Sequence, residues 1–258
     1  MFLVLCLILL AFLFYCRQSF TGSSSLVDPS GLKVQVINLD RRVDRLAELR
    51  KRYENSDMRA VSLERVPAVD GRNTPLDSVP ITYSAKLDVQ RASGPNGFRT
   101  AHHQLTPGAI GCYLSHIKAY EALIKDDNAE YSLILEDDAK IPRNLGAHIQ
   151  SLSSKVPGNW DILLLGHLCK HTSVLYPTKQ YRKVKRFFLM HCYVIKKSAA
   201  TKILQSPILP MKTQIDWYIS DLCSNGKLQV YATPVPVCKQ TARDTDIQIK
   251  LIKNTEPR

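Results

Sequence analysis

Apolar runs of strand length alternate with amphipathic stretches of helix length over about 220 residues, and this alternation restricts the chain to few architectures. Lys33 to Leu39 alternates and is rich in Val and Ile, as a strand should be. Asp44 to Tyr53 places Leu46, Leu49 and Tyr53 on one helical stripe. A second strand falls within Leu63 to Val69. Thr106-Pro107 reads as an N-cap followed by proline in the first turn, and the apolar positions 110, 113, 114, 117, 120, 123 and 124 continue a helix to about Asp127. Tyr131 to Leu135, Asp161 to Gly166, His191 to Ile195 and Leu228 to Tyr231 read as further strands. Asn144 to Val156, Ser198 to Gln205 and Ile215 to Ser224 read as further helices. Strands alternating with helices imply an α/β fold around a mostly parallel sheet. Residues 72–106 are polar, punctuated by Pro and Gly, and show no period; a stretch that long is expected to be functional or mobile.

Composition narrows the class further. A length of 258 residues suits one large domain or two small ones, and 45% apolar with 22% charged residues excludes a disordered chain. The seven cysteines form no CxxC pair, which excludes a zinc ribbon or a thioredoxin-like site. The net charge of +12 raises nucleic-acid binding, but no motif of that kind accompanies it. Anionic membrane or glycan surfaces account for the charge as well.

Phe2 to Cys16 is an unbroken run of 15 apolar residues, followed by Arg17 and a polar stretch, Thr21-Gly22-Ser23-Ser24-Ser25. As a helix it would span roughly 22 Å, short of the ~30 Å hydrocarbon core, with Arg17 able to snorkel. The expectation is a membrane anchor over residues 1–17, a linker over 18–31 and one domain over 32–258. A secretory signal peptide is the alternative. A single-pass type II protein of the Golgi or ER lumen is expected, although Arg17 after the run favours a cytoplasmic flank.

Leu133-Ile134-Leu135-Glu136-Asp137-Asp138 sets three carboxylates directly after an apolar strand. Continued extension points Glu136 and Asp138 to one side and Asp137 to the other, so a cation should sit between the first two. Oxygen ligands suit Mg²⁺ or Mn²⁺, and the carboxyl end of a strand is where open α/β sheets bind ligands. A solvated acidic turn is the plain alternative. Asn38-Leu39-Asp40-Arg41-Arg42-Val43-Asp44-Arg45 brings three guanidiniums to a strand-to-helix turn, which suits a nucleotide diphosphate or an ordinary basic helix face. Gly108 and Gly111 permit close approach of a ligand or of another backbone. His102-His103 and Arg182-Lys183-Val184-Lys185-Arg186 read as solvated surface.

Four segments in this order resemble glycosyltransferase family 25: Ile37 to Arg45, Ala68-Val69-Asp70-Gly71, Gly108 to His116 and Leu133 to Ala139. Weaker matches run through Trp160 to Gly166, Tyr193 to Ile195, Ile215 to Tyr218, and Gln240 with Asp246-Ile247. The resemblance implies a GT-A fold with a Rossmann-like sheet, a UDP-sugar donor (galactose first, glucose next), Mn²⁺ or Mg²⁺, and transfer to a glycan, glycoprotein or lipid-linked acceptor with inversion. By position, it implies nucleotide contacts from Asn38, Asp40, Arg41, Arg42, Arg45 and Asp70. It likewise implies metal contacts from Glu136, Asp137 and Asp138, and a donor border of Gly108, Ser115 and His116. The C-terminal segment Val237-Cys238-Lys239-Gln240 is closer to the bacterial members of the family.

Inverting transfer needs a general base on the face opposite the leaving group, from another element than the metal site. Asp216 is the expected base, with Asp221 and Asp246 as alternatives. Trp217 and Tyr218 beside it suit stacking on a sugar or plain core packing. The competing reading is an inactive family member serving as a binding or adhesion module.

Overall fold

The computed structural model describes residues 27–169, 174–175, 180–241, 246–247 and 251. The apolar run at residues 2–16 and most of the polar linker after it lie outside the described residues. The strands are β1 (Leu32–Asn38), β2 (Leu63–Pro67), β3 (Tyr131–Glu136), β4 (Ala139–Lys140), β5 (Ile162–Leu168), β6 (Val174–Leu175), β7 (Arg182–Val184), β8 (Phe188–Lys196), β9 (Val230–Ala232) and β10 (Lys239–Gln240). The α-helices are α1 (Val43–Glu54), α2 (Tyr83–Ala92), α3 (Pro107–Lys125), α4 (Leu145–Ser153), α5 (Lys197–Gln205) and α6 (Ile215–Ser224).

One eight-stranded sheet runs β2-β1-β3-β8-β5-β9-β7-β6, and β10 pairs with β4 beside it. β2, β1, β3, β5, β9 and β6 share one direction, while β8 and β7 run against it. The sheet therefore has the mostly parallel, Rossmann-like character expected, with β8 inserted antiparallel at its centre.

Period-2 alternation divides the core in two. Leu133 and Leu135 of β3, Leu163 and Leu165 of β5, and Cys192 and Val194 of β8 pack on the face covered by α1 and α4. Ile134, Ile162, Leu164, Tyr193 and Ile195 pack on the face covered by α2, α3, α5 and α6. Every one of these side chains is fully buried.

The segment with no readable period contains a helix. Thr82 caps α2 through its side chain on Ala85 N, and Ala85, Val89 and Ala92 are its buried stripe. Three small apolar residues between Pro80 and Gly94 were too faint a signal against that polar background. Two glycines dock the start of α3. A Cβ at Gly71 would lie 1.8 Å from Pro107 O, and one at Gly111 would lie 2.3 Å from Val69 O. The backbone after β2 thus lies directly on the helix, and the glycines serve backbone contact at this seam.

Candidate active site

The carboxyl ends of β1 and β3 and the start of β8 meet at one edge of the sheet, where ligands bind in open α/β folds. A cavity of about 270 Å³ opens there, lined among others by Arg41, Arg45, Asp70, His116, Glu136, Asp138 and Asp216.

Glu136 ends β3, Asp137 and Asp138 form the turn that follows, and all three line the cavity. Asp137 Oδ2 accepts from Asn38 Nδ2 (2.8 Å) and its Oδ1 from Arg45 (3.3 Å). Both Asp137 oxygens are engaged, so this carboxylate braces β1 and α1. Gln240 Nε2 lies 3.5 Å from Glu136 Oε2 and 3.4 Å from Asp138 Oδ2, which places these two oxygens around one point. Asp138 Oδ1 is buried and, among the described residues, has no hydrogen-bond partner. Burial, with the charges of Glu136 and Asp137, pushes the Asp138 carboxyl up to about 7. Burial acts the same way on Glu136, but the hydrogen bond from His116, aided by Gln240, holds it below the ordinary range. A buried acceptor without a donor, beside a second carboxylate, is the environment that a hard divalent cation fits.

Cys112, His116 and Glu136 also cluster, their ligand atoms all within 4.8 Å of one another. Tyr120 O–H has Tyr193 O as its partner (2.9 Å), and Tyr193 lies 2.8 Å from His116 Nδ1. All donors are satisfied only if Tyr120 donates to Tyr193 and Tyr193 donates to Nδ1. His116 then carries its proton on Nε2, aimed at Glu136 Oε1 3.4 Å away. Burial pushes the Cys112 thiol well above its ordinary range.

The basic turn is organised by a carboxylate some 200 residues away in sequence. Asp246 accepts from Arg41 (2.8 Å) and Arg42 (2.7 Å), and Arg45 and Arg72 lie 3.1 and 3.5 Å from it. Although burial raises the Asp246 carboxyl, these guanidiniums hold it below the usual range. Arg41 also donates to Asp70 (3.0 Å). Arg41, Arg45, Asp70 and Asp246 line the cavity; Asn38, Asp40 and Arg42 do not. Asp40 departs furthest from expectation, because its side chain faces solvent, 83% exposed, and is paired with Arg65.

Gly108 and Ser115 serve the framework around the cavity. A Cβ at Gly108 would lie 2.1 Å from Asp246 O, so backbone occupies that approach. Ser115 Oγ donates to Gly111 O (2.6 Å) and accepts from Val69 N (2.9 Å), which pins the turn after β2 to α3.

Asp216, in the first turn of α6, also lines the cavity. It accepts from Leu189 N (3.0 Å) and Trp217 N (2.7 Å), yet burial outweighs these donors and raises its carboxyl above the ordinary range. Asp221 pairs with Arg186 at the surface (3.1 Å) and is absent from the cavity wall. Asp246 is held by arginines. Of the three carboxylates considered as base, Asp216 alone lines the cavity with no cationic partner among the described residues. His103, expected to be plain surface, packs on Trp217 at a tilt, with ring centroids 4.9 Å apart. No signal within residues 102–106 forecast that contact, which forms across more than 100 residues of sequence.

The profile of glycosyltransferase family 25, described as an LPS biosynthesis protein family, matches residues 32–219, well over half of the chain. The chain belongs to this family. The fold is accordingly the GT-A type of that family. Relatives include a procollagen galactosyltransferase 1 of Danio rerio, 25% identical over 79% of this chain and 33% of that protein. A glycosyltransferase 25 family member of Anopheles gambiae is 26% identical over 74% of this chain and 32% of its own. A probable inactive glycosyltransferase 25 family member 3 of Bos taurus is 31% identical over 52% and 21% respectively. The chain spans about a third or less of the length of these relatives.

Proposed function

We propose that this chain transfers a hexose, galactose or glucose, from a UDP-sugar to a glycan or protein hydroxyl with inversion. The observation that carries this reading is one cavity lined by Glu136, by Asp138 with its orphaned Oδ1, and by Asp216. The names of the procollagen galactosyltransferase relatives support galactose as the sugar.

Glu136 and Asp138 would hold Mn²⁺ or Mg²⁺, and a bound divalent ion supplies positive charge to the departing diphosphate. Arg41 and Arg45 stand where they can neutralise the same phosphates, and Asp70 fixes the direction of Arg41. His116, held by Tyr193, keeps Glu136 ionised and oriented. Asp216 accepts the proton of the attacking hydroxyl; its raised affinity for a proton makes it a stronger base than an exposed aspartate. Inversion needs base and leaving group on opposite sides of the transferred sugar, and Asp216 comes from a different element than Glu136 and Asp138, which supports it as the base.

Incubating the chain with UDP-galactose or UDP-glucose and Mn²⁺, and following UDP release with and without acceptor, tests this reading. UDP binding without any turnover across a sugar-nucleotide panel would instead favour a binding module, a reading that the relatives named inactive keep in view. We further propose a membrane tether at residues 2–16 and a type II placement in the Golgi or ER lumen, with secretion after signal cleavage as the alternative. Among the described residues no helix is long and apolar enough to cross a membrane.

A further inference from the structure

We infer that the mouth of the cavity beside Asp216 is a carbohydrate subsite. His103, Phe188 and Trp217 form an aromatic shelf there for one pyranose ring of a saccharide acceptor, a term that rests on the transferase reading above. Trp217 lies between the other two rings, 4.9 Å from His103 and 5.0 Å from Phe188, tilted by 42° and 37°. Three separate segments supply the rings: the loop before α3, the start of β8 and the first turn of α6. Phe188 and Trp217 are half-buried and His103 is exposed, so the cluster lies at the surface rather than in the core.

The shelf is built in advance of any ligand. His103 O accepts from Thr213 Oγ1 (2.8 Å) and Gln214 N (3.2 Å), while Gln214 Nε2 donates to His102 O (2.8 Å) and Gln104 O (2.9 Å). These bonds fix the His103 loop to the entrance of α6, which removes an ordering cost from binding. At Leu189 the backbone adopts φ +66°, the only positive φ of a non-glycine residue among those described. That conformation is unfavourable for leucine, whose Cβ crowds the backbone there. Here it accompanies the bond from Leu189 N–H to Asp216 and lies between Phe188 of the shelf and Met190 of the cavity wall. Strain of this kind persists where surrounding structure enforces it, commonly at ligand sites.

An aromatic face beside a carboxylate and an imidazole matches the two-sided chemistry of a pyranose. Its axial C–H groups pack on the ring faces, and its hydroxyl rim donates to Asp216 and exchanges hydrogen bonds with His103. Exposed Lys185, Arg186 and Lys212, close in sequence to Phe188 and Trp217, disfavour a cationic peptide on the same surface.

The protein carries its own reporter. Of its two tryptophans, Trp160 is 1% exposed and stacked on Tyr131, so a ligand on the shelf would perturb Trp217 alone. The full chain is titrated with methyl β-galactoside, methyl β-glucoside, lactose and a procollagen peptide while its intrinsic fluorescence is followed. Saturable quenching or a blue shift with at least one saccharide is expected, and Trp217→Phe should silence the signal. By saturation-transfer NMR, Trp217→Ala and the exposed His103→Ala should each weaken saccharide binding by about tenfold or more. UDP–Mn²⁺ affinity should stay unchanged and confirms that both variants are folded. No saturable response to any saccharide overturns the inference. So does a response to the procollagen peptide alone, or unaltered saccharide binding in both alanine variants. Saccharide binding through Trp217 in a chain that releases no UDP would leave the subsite standing and the transferase reading refuted.

Discussion

Asp138 combines an orphaned oxygen with a proton affinity far above that of an exposed aspartate, and both properties can be measured. Its carboxyl titrates near 7 in the folded chain against 3.8 for an unperturbed aspartate, so between these values the folded state binds more protons than the unfolded one. This contribution to stability is fully present below about pH 4 and is lost as pH rises through about 7. Without metal, the wild-type Tm should therefore fall relative to that of Asp138→Asn as pH is raised from about 5 to 8; parallel Tm profiles would refute it. Asp138→Ala should lower metal-dependent UDP release by more than about 10²-fold with the fold retained, and near-normal turnover at low Mn²⁺ would remove Asp138 from the metal site. Asp216→Asn keeps the size of the side chain but cannot take a proton. Transfer should drop at least about 10²-fold while UDP–Mn²⁺ affinity holds, measured by steady-state kinetics beside calorimetry. Loss of UDP binding instead would make Asp216 a donor-site or structural residue. Tyr193→Phe removes the donor to His116 Nδ1 and strands Tyr120. A stability loss of about 1–3 kcal/mol is expected, and ¹⁵N NMR should show the His116 proton redistributed between its ring nitrogens; an unchanged tautomer would refute the assigned chain of donors.

At the scale of elements, the glycine seam between α3 and the turn after β2 admits no side chain. Gly71→Ala would bring a methyl group to 1.8 Å from Pro107 O, and neither backbone can retreat without undoing the Ser115 bond to Val69. Denaturant melts should show a loss of more than about 3 kcal/mol, against a smaller loss of about 1 kcal/mol, from the positive φ alone, at the open Gly94 when replaced by Asn. Elements with full periodicity were legible in the sequence: β1, β3, α3 and α6 lie within a residue or two of their expected bounds. The strand expected to continue through Asp138 instead ends at Glu136, and Asp137 and Asp138 form a turn, which the run of three carboxylates did not signal. Two-residue strands such as β4 and β10 were not legible, since a pair that short leaves no period. Nor was the convergence of Arg41, Arg42 and Arg45 on Asp246, which depends on how the chain returns across α3.

On the scale of the whole molecule, Val27, the first of the described residues, is already packed into the domain. That residue is 1% exposed; its N–H donates to Ser153 Oγ and its carbonyl accepts from Gln150 Nε2 (2.6 Å). Deleting residues 1–25 should leave the Tm unchanged and UDP binding intact, while a cut after Val27 should lower stability by about 1–3 kcal/mol; unfolding of the longer chain would place the apolar run in the core. The carboxylate of Asp246 has a different reach. It already satisfies the guanidiniums that a diphosphate would seek, so donor capture is an exchange of one anion for another and not the filling of a vacant positive well. The calorimetric heat and the salt dependence of UDP binding should then be smaller than four arginines would suggest, because the incoming charge replaces a resident one and the net count of ions released to solvent is low.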